Sequence, residues 1–285
     1  MKITPPPHPL PLREEDGKIM HDIVLYIIAF LFGSVIGSFL NVCIYRMPRD
    51  LSIIIPSSRC PSCNNPIHPW DNIPILSYIF LNGRCRFCKE KISFKYPLVE
   101  FLNAILYVIV LWKFGSHFSW FLLIYFAFVS SLLVITFIDI EYQIIPDSIT
   151  LPGIPLALIF GSTIMPYPFL KADLLGFKAS IIGALLGGGL FYIVAVAGKA
   201  VFKKDAMGGG DIKMMAMVGG ILGWKGVILT TFLGSLLGSI IGVSLIIAKG
   251  RERGSRIPFG PYLTFGAVLS LLFGQEILTW YLYAR

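Results

Sequence analysis

Five stretches of this chain, residues 23–45, 114–138, 148–170, 179–198 and 226–248, contain no Asp, Glu, Lys or Arg. A helix needs about 20 such residues to cross the hydrocarbon core of a bilayer, and each stretch reaches that length. Residues 257–275 form a sixth run, which continues past Glu276 into Trp280 and Tyr281, residues suited to a membrane interface. Two shorter runs, 101–112 and 214–224, are ambiguous by length alone, but counting them makes the charge distribution alternate correctly. The expectation is an all-α polytopic membrane protein with about eight transmembrane helices. With 55% hydrophobic and only 14% charged residues, a soluble domain would lack the polar surface to cover its core.

Eight spans leave four stretches on one side: 46–95, 139–147, 199–213 and 249–256. They hold sixteen of the 24 Lys and Arg, whereas the opposite loops hold only Lys113, Lys171, Lys178 and Lys225. The positive-inside rule places the basic stretches in the cytosol and both termini outside it. The net charge of +8 therefore belongs to loops beside anionic lipid and calls for no nucleic-acid partner. The first apolar run follows the Pro-rich Pro5-Pro6-Pro7-His8-Pro9 and the acidic Glu14-Glu15-Asp16. It is too long for a signal-peptide core and lacks a basic leader, so it reads as a retained span. On this division residues 1–22 form a disordered tail, 23–45 the first transmembrane helix, 46–95 a cytosolic insert and 96–285 the remaining transmembrane domain.

The insert of about 50 residues is too short to build a robust core unaided. Its staple is visible in Cys60-Pro-Ser-Cys63 and Cys85-Arg-Phe-Cys88. Each pair can wrap a turn so that two thiolates converge, and two turns complete a tetrahedral four-cysteine site. Disulfides or a redox pair are the alternatives, and a cytosolic location disfavours structural disulfides. Four soft ligands point to a structural metal, zinc above all. Cys43 stands alone in the first span and reads as a packing residue.

Two carboxylates sit where apolar runs meet the cytosolic boundary. Asp139 follows Thr136-Phe137-Ile138, and Asp211 follows Met207-Gly208-Gly209-Gly210. Ionisable groups at that depth are costly and mark functional sites. Two carboxylates brought together in a low dielectric do not both ionise readily; they share a proton and can activate water against an amide. The glycines before Asp211 let another backbone approach it. Either aspartate alone would ordinarily be a solvated helix end. Their combination with Pro258-Phe259-Gly260-Pro261-Tyr262 on the same predicted side raises the functional reading. Asp147, after Ile145-Pro146, fits an N-cap for the fourth span, and Glu141 is expected to face water or basic groups.

Gly208-Gly209-Gly210-Asp211 resembles the Gly-x-Gly-Asp signature of membrane aspartyl peptidases. The rest is similar to one branch, the bacterial type IV prepilin peptidases: Gly37-Ser38-Phe39-Leu40-Asn41-Val42 with Arg46 and Pro48, the paired Cys motifs, Tyr96-Pro97-Leu98-Val99-Glu100, Ile145-Pro146-Asp147, and the two glycine-containing motifs above. Ile138 stands where presenilin-like enzymes carry Tyr, which favours the prepilin branch. The resemblance implies that Asp139 and Asp211 hold the nucleophilic water. It implies cleavage of a basic leader from type IV prepilins or type II secretion pseudopilins at the cytosolic face of the bacterial inner membrane. It also implies N-methylation of the new terminus with S-adenosylmethionine, an activity associated with retention of the four cysteines. Asn41, Arg46 and Glu100, which flank the insert, are the candidates for that cofactor. The rival from another class is an ion-coupled transporter, which uses intramembrane carboxylates at discontinuous helices, but no mid-span charge or internal repeat supports it.

Overall fold

The computed structural model describes residues 12–115, 119–169, 174–203, 207–249 and 258–283. Among them the chain is helical, with no strands beyond isolated bridges. The elements are α1 (Leu12–Arg46), α2 (Leu76–Phe80), α3 (Lys95–Phe114), α4 (Trp120–Tyr142), α5 (Asp147–Thr163), α6 (Gly176–Phe202), α7 (Gly209–Lys249) and α8 (Gly260–Tyr283). By length and composition, six of these, all but α2 and α5, qualify as membrane spans.

Two details bring these six roughly into line with the expected eight. Helix α7 runs for 41 residues but is broken at Gly223, whose φ of 71° a side chain would strain, so it comprises two segments meeting at a kink. The two uncharged runs 214–224 and 226–248 meet close to that break. Helix α5, with 17 residues and two internal prolines, is the fourth expected span. The first helix is longer than expected: from Leu12 onward the chain is already helical, so only residues 1–11 of the anticipated tail 1–22 lie outside the described residues. Much of the basic stretch 249–256 also falls outside them, from residue 250 on.

Helix α1 packs along α3, and α6 along α7. Contact is intimate because small residues face neighbouring backbone: a β-carbon on Gly37 would lie 2.6 Å from Cα of Glu100. Polar groups inside this bundle are matched across helices. Asn103 donates to the Gly33 carbonyl at 2.8 Å, Ser130 donates to Asn103 at 2.8 Å, and Tyr107 and Ser130 share a hydrogen bond of 3.0 Å. Cys43 is buried among Leu40, Ile44, Val99, Val134 and Ile138, as a packing residue should be.

The two ends of the bundle are distinct. At one end Lys95 pairs with Glu141 at 2.6 Å, Lys213 pairs with Asp147 at 2.5 Å, and the Arg49 guanidinium lies 4.0 Å from the Tyr45 ring. At the other, Lys113 pairs with Glu276, and Lys225 sits 5.7 Å from the Tyr167 ring. The stretches 46–95 and 139–147 and the start of α7 with Lys213 thus gather at one end.

Candidate active site

Helix α4 ends just after Asp139: Gln143 turns left-handed (φ 55°), and its N–H returns to the Asp139 carbonyl at 3.0 Å. The residues that follow, 143–146, form a short turn into α5. That turn lays Ile145 against the start of α7, where a β-carbon on Gly210 would stand 2.6 Å from Cβ of Ile145. Only glycine admits this approach, and it sets the first turn of α7 beside the last turn of α4. Asp211 occupies that first turn, its N–H donated to the Gly208 carbonyl at 3.2 Å.

The third contributor is the start of α8. The backbone N–H of Gly260 donates to Oδ2 of Asp139 at 3.0 Å. One turn deeper, Thr136 and Thr264 share a hydrogen bond of 2.6 Å that ties α4 to α8. Asp139 is only 6% exposed. Oδ1 of Asp211 is buried without a hydrogen-bond partner, and the two carboxylates are close enough to act on each other electrostatically. The structure therefore brings Asp139, Asp211 and the Phe259-Gly260 turn together at one end of the bundle. An acceptor oxygen buried without a donor, next to a second carboxylate, suits a water or a substrate group that completes the set.

Asp147 departs from its expected role. Pro146 occupies the cap position of α5, no side chain caps the helix, and Asp147 instead receives Lys213 Nζ. Its side chain remains favourable in the first turn of α5 through the helix dipole. Glu141 is engaged by Lys95 and by the hydroxyl of Tyr142, in line with the basic surroundings expected for it.

In the insert the four cysteine sulfurs lie within 4.8 Å of one another, and Cys60 Sγ stands 3.8 Å from Cys88 Sγ. A tetrahedron of metal–sulfur bonds of about 2.3 Å has edges of about 3.8 Å, so the cluster fits a zinc-sized ion. The two pairs are built alike. Asn64 and Lys89 are left-handed (φ 57° and 60°), their N–H groups return to the carbonyls of Cys60 and Cys85, and the flanking residues close the bridges Arg59–Pro66 and Arg84–Lys91. Backbone N–H groups of Cys88 and Phe87 pull the Cys85 thiol down to about 7, while that of Cys88, against the lowering backbone N–H of Glu90, is pushed up to about 12 by desolvation and the three neighbouring sulfurs, a crowding of like groups that a bound cation would relieve. The sulfurs are free rather than disulfide-bonded.

The methyl-transfer candidates separate into two groups. Asn41 donates to the Tyr96 carbonyl at 3.0 Å, and its Oδ1 is buried without a partner. Glu100, 8% exposed, accepts the backbone N–H of Ile75 at 2.7 Å. Arg46 stands apart from them, clasping the carbonyls of Ser52 and Pro56 at 2.8 and 2.6 Å. The Ile75–Glu100 link escapes sequence reasoning; the uncharged run 73–81 beside the cysteines is its only signal.

Comparison with known proteins converges on one family. Residues 31–114 match the model of the bacterial peptidase A24 N-terminal domain, and residues 125–243 that of the type IV leader peptidase family. The chain is 35% identical over 280 residues to the prepilin leader peptidase/N-methyltransferase of Aeromonas salmonicida, covering 90% of this chain and 93% of that protein. It is 35% identical to the protein of the same name from Pseudomonas aeruginosa, covering 92% and 95%, and 31% identical to that of Legionella pneumophila, covering 90% and 94%. No solved structure matches the chain.

Proposed function

The chain belongs to the type IV leader peptidase family, and from that premise we propose that Asp139 and Asp211 are its catalytic dyad. The protein is a multi-pass membrane enzyme that cleaves prepilin leaders and N-methylates the product. The observation that carries the dyad is the convergence of the buried Asp139 carboxylate, the buried Oδ1 of Asp211 and the Gly260 N–H at one end of the bundle. A carrier would hold such groups at mid-span; here they lie at the edge, where a leader peptide arrives from the aqueous side.

The geometry divides the work between the two aspartates. The hydrogen bond from Gly260 favours charge on Asp139, which leaves Asp211 to hold the shared proton. Asp211 then donates to the scissile carbonyl oxygen while Asp139 takes a proton from the water that attacks the carbonyl carbon. The tetrahedral diol collapses as the leaving nitrogen gains a proton from Asp139 and one diol hydroxyl returns its proton to Asp211. The carbon–nitrogen bond breaks, and one carboxyl and one amine leave. The amine is the group to be methylated.

S-adenosylmethionine supplies the methyl group for that second reaction. Asn41 Oδ1, buried without a partner, and the Glu100 carboxyl are acceptors that suit an ammonium group. The four-cysteine insert, 46–95, holds zinc on this reading, and residues 96–285 carry the peptidase. The basic end of the bundle faces the cytosol across the bacterial inner membrane, and pseudopilins of type II secretion join the prepilins as substrates. Incubating the purified full-length protein with a prepilin and S-adenosylmethionine, and reading the product N-terminus by mass spectrometry, tests both activities. Uncut prepilin, with the protein shown to be folded, would refute the reading.

A further inference from the structure

The insert contains a second, uncharged stretch, Ile73-Pro74-Ile75-Leu76-Ser77-Tyr78-Ile79-Phe80-Leu81, whose placement is unusual for a soluble loop. Ile75 adopts φ 61°, ψ −51°, and Leu76 N–H returns to the Pro74 carbonyl. This three-residue turn is rare and strained for a β-branched residue. It is held in place because the Ile75 N–H is given to the buried Glu100 carboxylate at 2.7 Å. Glu100 lies five residues beyond Lys95, about 7.5 Å farther along the axis of α3. In the middle of α2, the Tyr78 ring meets Phe94 edge-on, 6.4 Å between centroids.

Helix α2 is therefore pinned alongside the first turns of α3, between the levels of Phe94 and Glu100. The Lys95–Glu141 pair marks where that end of the bundle meets water. Interfacial helices bury their apolar faces about 5–10 Å into the boundary between headgroups and acyl chains, and the backbone of Glu100, to whose side chain Ile75 is tied, lies within that range along α3 from Lys95. Leu76, Ile79 and Phe80, spaced to share one helix face, are nevertheless 51%, 60% and 80% exposed.

We propose that this face is inserted in the lipid leaflet on the insert's side of the membrane, so that α2 is a re-entrant anchor for the cysteine knuckles. The charge around it is complementary to anionic headgroups. Residues 46–95 carry eight Lys and Arg against three acidic residues, one of which, Asp71, is occupied by a two-point bond from Arg86 at 2.6 and 2.7 Å. A soluble protein partner would have to reach below the level of Lys95 to cover the same face. Lipid is already there. The inference rests on the membrane topology and not on the assignment of the aspartates.

The test uses the native full-length protein in vesicles of phosphatidylcholine with phosphatidylglycerol, photolysed with a lipid that bears a diazirine close to its headgroup. Peptide mapping should find lipid adducts within 73–81 as well as within α3. Adducts in α3 with none in 73–81 would overturn the proposal. As a second measurement, a fluorescent amino acid placed at Phe80 should show blue-shifted emission, quenched by shallow nitroxide lipids and shielded from aqueous iodide. The same probe at Lys91 should show the reverse. Quenching of the Phe80 probe by iodide, or shielding that appears only when prepilin is added, would equally contradict lipid insertion, the latter in favour of a substrate-docking surface.

Discussion

The backbone N–H of Gly260 donates to Oδ2 of Asp139 at 3.0 Å, and a β-carbon built on Gly260 would lie 2.6 Å from that same oxygen. The contact partner is the tip of a side chain, which can swing away. Gly260→Ala should therefore leave a folded protein whose Asp139 carboxylate is displaced. Misplacement on the order of 1 Å costs about 10²-fold in rate, and prepilin cleavage should fall by roughly that factor. Thermal unfolding in detergent should change little. Wild-type cleavage by Gly260→Ala would show that the close approach is irrelevant to the chemistry.

The glycines before Asp211 are not equivalent. A β-carbon on Gly209 would meet nothing within 4 Å, whereas one on Gly210 would lie 2.6 Å from Cβ of Ile145. Gly209→Ala should be tolerated. Gly210→Ala should push the α4–α5 turn away from α7, with overpacking that costs about 1–3 kcal/mol and a loss of cleavage. Cleavage assays on the two variants side by side should separate them; equal effects would argue against a close Gly210–Ile145 approach.

Lys213 and Asp147 form a pair near the dyad, but both side chains are substantially exposed, 32% and 56%. Exposed pairs contribute up to about 1 kcal/mol. Asp147→Asn should keep most of the cleavage activity and shift the unfolding midpoint only slightly. Loss comparable to that of an Asp139 variant would assign Asp147 a direct role.

Much of this architecture is legible in the residues themselves. Uncharged runs announce the spans, the break at Gly223 falls near the junction of two of them, and the paired Cys motifs announce the knuckles. What escapes is whatever depends on pairing across long sequence separations. Nothing local says that Asp147 meets Lys213 rather than its own helix N-terminus, because both are favourable for a carboxylate. Nothing local places the Gly260 N–H on Asp139, 121 residues away. Helix α2 is hidden because five residues among prolines and cysteines carry too little periodicity. Arg46, a polar residue beside a site in sequence, is used in the fold to hold backbone carbonyls of the insert.

The cysteine cluster leads to a separable prediction. Purified protein should contain about one zinc per chain, and replacing Cys60 and Cys63 by Ser should remove it. Thiolate ligation supplies folding free energy to the insert, while the aspartates lie outside it, so methylation should suffer more than proteolysis. Mass spectrometry of mature pilin should then show a raised fraction of unmethylated N-termini. A wild-type ratio in protein shown to have lost its metal would mean that the knuckles do not support methyl transfer.

On the proposed mechanism Asp139 and Asp211 act as one proton-sharing pair, and a single assay addresses this directly. Asp139→Asn, Asp211→Asn and the double variant, each purified in detergent with unchanged unfolding behaviour, would be given prepilin and their initial cleavage rates measured. Each single variant should lose about 10²–10⁴-fold or more, and the double variant should be scarcely worse than either, because residues that act as a unit are not additive. Substantial cleavage by either single variant would contradict the mechanism.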